Sequence, residues 1–544
     1  MDTDWSRIHV KFISSSKIGQ LMVFGFQGYD SATISEDVIR LIEDDYVGGL
    51  ILFGRNIRKP EDVLGLTNTL QKYAKHSGHR SPLLLCIDQE NGVVRRLGEG
   101  TTPFPGAMLL AATGDEEITF KVGKATAREL KALGINWNLA PVVDINNNPH
   151  NPVIGVRSFG ETAESVSRFA MASMKGMQAG GIITTLKHFP GHGDTHVDSH
   201  LALPVITHSF ESLEQLELVP FKACMDEGAD TVMSAHVYFP AIEVQENKPA
   251  TLSYKVITDI LRKKLGFKGV VTTDCMEMNA ISELVGTAKG AVEAIKAGVD
   301  LIMISHLPSL QKETIETIVC AVENGEIPES RIDESVERIQ KLKDQYLSWG
   351  QLSLENAVPE VVGCKDHMKL AIEALRKGIT IIKNGGNILP LSKEANHKVL
   401  VVYPKGSYLT LVEEERYAEN ELGEIVRETH PTATVIKTSN EPTEQELELI
   451  IEKADEYETI IIGTLSALKS KAQTELLTKL VRTGKCVILL AMRNPYDLAI
   501  SSQVHASVCT YEFTPGALRM AVKAIYGEEI VTGSMPITIP ELDL

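Results

Sequence analysis

No stretch of the 544 residues holds the ~20 consecutive apolar side chains of a membrane-spanning helix. The N-terminus carries Asp2 and Asp4 where a secretory leader would be basic, and no long apolar core follows. Cysteine is scarce: seven, an odd number, at 86, 224, 275, 320, 364, 486 and 509, with no C-x-x-C pair. That argues against a disulfide framework and a structural zinc site, and for a reducing interior. Basic residues are outnumbered, 54 Lys+Arg to 72 Asp+Glu, giving a net charge of −18. A nucleic acid or an anionic membrane would be repelled on average. Internal repeats, low-complexity tracts and the G-x-G-x-x-G turn of a dinucleotide site are also missing. What is there is an ordinary globular mixture, 43% hydrophobic and 23% charged, in a chain long enough for two or three domains. The expectation is a soluble, acidic, cytoplasmic protein with no nucleic-acid or membrane partner. Its oligomeric state is not legible.

Eight short apolar runs, 20–26, 49–54, 82–88, 138–144, 182–187, 231–236, 269–274 and 299–304, alternate with helical patterns such as 60–74, 116–133, 161–180 and 213–228. Runs that are apolar throughout, rather than alternating, suit strands covered on both faces. Asp115 and Thr162 stand where helix N-caps belong. Eight βα units within residues 18–306 predict a closed (β/α)₈ barrel, whose norm is ~250 residues, over an open doubly wound sheet. A barrel domain over 1–328, a helical connection over 329–378 and an α/β sandwich over 379–544 are therefore expected. Strands of the sandwich are read at 379–383, 398–403, 433–437, 459–463, 486–491 and 506–511, interleaved with helices at 443–456, 470–483 and 515–526.

Active sites of such barrels collect at the carboxyl ends of the strands. Those ends read Asp88, Asp144, Lys187-His188, His236, Asp274 and His306. Any one of them could be a cap or a turn. Together they point to a site, because unpaired charges gathered at one rim otherwise cost stability. The segment 187–200, KHFPGHGDTHVDSH, spaces His188, His192, His196 and His200 four apart, as on a metal-binding helix face. Pro190, Gly191 and Gly193 forbid that helix, so the segment reads as a long loop and a metal site is disfavoured. The loop ends in Asp198-Ser199-His200, where a carboxylate can hold one imidazole nitrogen and leave the other to exchange protons near neutrality. Asp274, in GVVTTDCMEM, is delivered by a rigid strand and suits a nucleophile; the alternative is a cap on the next helix. Arg96, Arg157 and Lys187, with Asp88, could clamp a polyhydroxylated ligand, although each alone also reads as a structural ion-pair member.

The blocks DQENGVVRRL (88–97), NWNLAPVVDI (136–145), RSFG (157–160), KHFPGHGDTHVDSH (187–200), MSAHV (233–237), GFKGVVTTDCMEM (266–278) and KNGGNILPL (383–391) resemble those of glycoside hydrolase family 3. The closer resemblance is to its β-N-acetylglucosaminidase branch, and it spans nearly the whole chain in the family's order. It implies a barrel followed by an α/β sandwich. It also implies Asp274 as nucleophile, His200 as acid/base and Asp198 as the residue that orients His200. Asp88, Arg96, Arg157, Lys187 and His188 would hold a terminal N-acetylglucosamine, and no cofactor or metal is implied. Two blocks depart from the family pattern: Asn91 replaces the first glycine of DQEGG, and Thr273-Asp274-Cys275 replaces Ser-Asp, often followed by Asp.

The chemistry implied is a retaining double displacement that removes terminal, non-reducing β-linked N-acetylglucosamine from a small carbohydrate. Chito-oligosaccharides, muropeptides and glycoconjugates are all open as substrates. Phosphate in place of water would make the enzyme a phosphorylase, and a β-glucosidase is the nearest other enzyme. A metal-dependent hydrolase using the histidine loop and an inactive sugar-binding protein are the rivals from other classes.

Overall fold

The computed structural model describes residues 16–352, 355, 357–406, 410–413, 419–500 and 503–539. All eight strands expected of a barrel form: β1 (Met22–Gly25), β2 (Gly49–Leu52), β3 (Leu84–Ile87), β4 (Trp137–Asn138), β5 (Thr185–Phe189), β6 (Thr231–Ser234), β7 (Val270–Cys275) and β8 (Leu301–Ile304). They lie in the order β4-β3-β2-β1-β8-β7-β6-β5, every pairing parallel. Parallel bridges Trp137↔Ile183 and Val142↔Lys187 join the two ends, so the sheet closes on itself. Each strand is buried along its length except the end of β7, where Asp274 and Cys275 come to the rim.

β4 is the shortest, two residues against the seven read over 138–144. Pro141 has no N–H to donate, so the ladder stops and resumes as the isolated bridge at Val142. The helix read over 213–228 is broken into Phe210–Gln215 and Leu218–Asp226. Asp115 and Thr162 do cap their helices, accepting from Ile118 N–H and Ser165 N–H respectively. Of the two helices in the expected connection, Glu329–Tyr346 and Lys365–Gly378, the first buries Ile332, Ile339 and Leu342 in the barrel's own hydrophobic core.

The second sheet has six strands: β9 (Thr380–Asn384), β10 (Val399–Pro404), β11 (Thr434–Thr438), β12 (Thr459–Thr464), β13 (Cys486–Ala491) and β14 (Ala506–Cys509). Their order is β11-β10-β12-β13-β14-β9, parallel except for the antiparallel edge β14–β9. Separate apolar clusters cover its two faces, as a sandwich requires. One of those clusters includes Met108, Leu109, Ala112 and Val156 from the barrel. The two sheets therefore share buried apolar surface.

Candidate active site

A cavity of about 480 Å³ opens at the carboxyl ends of the barrel strands. Asp88, Arg96, Arg157, Lys187, His188, His200 and Asp274 all line it. Asp198 stands behind the wall: its Oδ1 accepts from both Nδ1 (2.7 Å) and the backbone N–H (2.9 Å) of His200. With Nδ1 committed, Nε2 is the nitrogen left to exchange a proton. Burial pushes the Asp198 carboxyl up, but the His200 hydrogen bonds outweigh it and hold the group below its ordinary range, so it stays an anion.

Asp274 is half-buried at the end of β7, its Oδ1 accepting the Cys275 N–H at 2.7 Å. Burial raises its pKa; the charges of His236, His188 and His200 more than reverse that, and the carboxyl lies below its usual range. An ionised carboxylate on a rigid strand and an imidazole with one nitrogen uncommitted thus line one pocket, groups able to serve as nucleophile and proton shuttle.

The cations are arranged differently from a set of free clamps. Glu90, which the sequence placed in DQENG without a role, ties them together. Its two oxygens take Nε and one Nη of Arg157, each at 2.8 Å, and Lys187 Nζ at 2.6 Å. The remaining Nη of Arg157 donates to the Val153 carbonyl at 3.1 Å, so its donors point into the protein while its surface lines the cavity. Lys187 also reaches Asp88 at 2.8 Å, and Arg96 stands 3.7 Å from the other Asp88 oxygen. Asp88, 15% exposed against 2% for Lys187 and Arg157, is the member of this network best able to accept sugar hydroxyls. Burial raises Glu90, yet Arg157 and Lys187 pull it well below the carboxylate range.

Asp144 was visible as a strand-end acid; its work is structural. It accepts Nδ1 of His188 (2.7 Å) and the backbone N–H of His188 and His192, which pins the start of the 187–200 loop. The four histidines of that loop do not converge. His188 turns to Asp144, His192 to Thr195 and Ser199, His196 to Asn148, and His200 to Asp198. His236 lies beneath the floor, between the Thr251 hydroxyl and the Cys275 carbonyl. Cys275, Glu277 and His306 form the one group of potential metal ligands among the described residues. Glu277, however, already accepts the N–H groups of Ser305, His306 and Leu307, and Arg55 is hydrogen-bonded to His306.

The departures from the family pattern separate cleanly. Asn91 and Thr273 do not line the cavity; Cys275 does, as a thiol pushed up to about 12 by burial and by Glu277. Leu411, Val412 and Glu413, beyond β10, also reach the cavity, and the Val412 carbonyl accepts from Arg96 at 2.7 Å. The sandwich thus contributes to the wall, which no pattern in its sequence announced.

Residues 14–342 match the model of the glycosyl hydrolase family 3 N-terminal domain, well over half of the chain. The chain belongs to glycosyl hydrolase family 3. Among relatives of this family 3 chain, beta-hexosaminidase A of Pseudoalteromonas piscicida is 30% identical over 97% of the chain and 98% of its own length. A beta-hexosaminidase of Xylella fastidiosa strain M23 is 37% identical over 54% of the chain and 85% of its own length. A family 3 beta-N-acetylglucosaminidase from Paenibacillus sp. str. FPU-7 shares the fold at a TM-score of 0.89 and 39% identity, covering 97% of this chain and 99% of that one.

Proposed function

We propose that this enzyme is a retaining exo-β-N-acetylglucosaminidase. The observation that carries the reading is the pairing, in one pocket, of an ionised Asp274 with a His200 whose Nδ1 is held by Asp198. The names of its full-length relatives support the substrate class. In the first step an Asp274 oxygen bonds to the anomeric carbon as the glycosidic C–O bond breaks, and His200 gives its proton to the leaving oxygen. In the second, His200 takes a proton from water as that water attacks the same carbon and releases Asp274. An imidazole partner avoids the like-charge repulsion that a second carboxylate would bring. Asp88, with Lys187, Arg96 and His188 around it, binds the terminal sugar; Arg157 acts through Glu90. The reading includes a cytoplasmic location, supported by cysteines that are free rather than paired in disulfides among the described residues.

The test is to hydrolyse an aryl β-N-acetylglucosaminide and follow the product by proton NMR. Release of the β-anomer first is expected. Initial α-anomer, or no cleavage of this glycoside when the glucoside is cleaved, would overturn the reading. Adding inorganic phosphate and looking for sugar 1-phosphate separates hydrolysis from phosphorolysis.

A further inference from the structure

Glu512 lies just beyond β14, in the sandwich, yet its carboxylate is spent on the barrel. It is 2% exposed. Its Oε2 accepts the backbone N–H of Gly106 at 2.8 Å, and its Oε1 accepts the Thr514 hydroxyl at 2.7 Å. The niche exists because two barrel residues lack side chains. A Cβ on Gly92 would fall 2.8 Å from that Oε2 and 2.7 Å from the Gly106 Cα. Gly92 belongs to the turn that carries Glu90, and Asn91 and Gly92 are successive residues at φ of 71° and 59°. Two consecutive left-handed residues suit Asn-Gly, and the lack of a side chain on Gly92 is what lets Gly106 and Glu512 approach the turn. Between the turn and Glu512 is a cavity of about 10 Å³ bordered by Glu90, Arg157, Gly106, Tyr511 and Glu512, room for about one water.

We propose that Glu512 is a positioning residue of the sugar site, a carboxylate lent by the second domain that fixes the Glu90–Gly92 turn. Through Glu90 it sets the places of Arg157 and Lys187, and through Lys187 that of Asp88. Burying an acid here without a salt bridge has a cost: its pKa is pushed up to about 7 by burial, with Arg95 and the hydrogen bonds only partly offsetting. That cost is met by a geometry which no uncharged short side chain would supply.

The proposal rests on the pocket being a sugar site, and the assay separates the two. Kinetics of wild type, Glu512→Ala, Glu512→Asp and Glu512→Gln on an aryl β-N-acetylglucosaminide should be measured, with competition by free N-acetylglucosamine. Glu512→Ala and Glu512→Asp should raise KM about tenfold and weaken N-acetylglucosamine equally, with kcat within about threefold, because the displaced groups bind rather than react. Glu512→Gln keeps an oxygen for Gly106 N–H and should restore KM to within about twofold. Should Glu512→Ala fail to fold, the Asp and Gln variants decide. Unchanged KM in Glu512→Asp, or a Gln variant as impaired as Asp, would overturn the proposal alone. No turnover by wild type would overturn the reading of the pocket and this proposal with it.

Discussion

Asp274 and His200 carry opposite burdens, and their replacement should separate them. In the proposed mechanism Asp274→Ala removes the atom that bonds to the sugar; turnover should fall by more than about 10³-fold, with partial rescue by azide and formation of an α-glycosyl azide, because azide then enters from the face that Asp274 occupied. On the same proposal His200→Ala removes only the proton transfer. Its loss should be about 10²–10⁴-fold on a substrate with a poor leaving group and small on an activated aryl glycoside in the first step; equal losses on both would contradict the role. Both residues line the cavity. Asp274 was legible as a candidate because barrel geometry sends strand ends to the site, His200 because it follows Asp198 by two residues in a block that resembles the family's. Glu90 was not, although it stands two residues past Asp88 in a quoted block. Nothing in the sequence says that its carboxylate turns inward to join Arg157 and Lys187, which lie 67 and 97 positions further on.

Loops rather than strands give this site its particular shape. The 187–200 loop was read correctly as non-helical, since Pro190, Gly191 and Gly193 rule a helix out. What holds it is distant in sequence: Asp144 takes His188 and His192, and the Asn151 amide donates to the carbonyls of His192 and Gly193. The turn after β3 shows the same division. Asn91 departs from the family's glycine, but it sits at φ 71°, a conformation that asparagine tolerates better than other non-glycine residues, and its amide donates to Thr126 at 3.0 Å. Asn91→Ala should therefore cost about 1–2 kcal/mol in urea denaturation, while Asn91→Gly should cost less. A neutral Asn91→Ala would show that the backbone there is not constrained.

Barrel and sandwich are joined by buried apolar residues and by a few polar contacts: Glu512 to Gly106, Tyr496 to Asn146, Lys469 to the Asn151 carbonyl. One of these makes stability depend on pH in a defined direction. The Glu512 pKa rises from 4.5 to about 7 on folding, so the folded state holds this proton more tightly. Its contribution is complete below pH 4.5 and is lost as pH climbs through 7, by an amount on the order of 3 kcal/mol for this group. Asp198 and Asp144 act in the opposite sense: both carboxyls are depressed, and their stabilisation is lost as pH falls below the usual carboxylate range. Denaturation of wild type against Glu512→Gln across pH 4–8 should show the decline toward neutrality in wild type alone. A parallel decline in both would assign it elsewhere.

Strand count, barrel closure, the six-stranded second sheet and the strand-end place of Asp274 were determined by sequence, because periodicity and strand-end position are local properties. Only the tertiary structure decided which charges neutralise one another, that Arg157 faces Glu90 rather than standing free, that the sandwich reaches the pocket through Val412, and that Glu512 bonds the barrel at Gly106. Those pairings join residues up to 406 positions apart. Spacing along a chain carries no record of which of its distant carboxylates a cation will meet once both leave water.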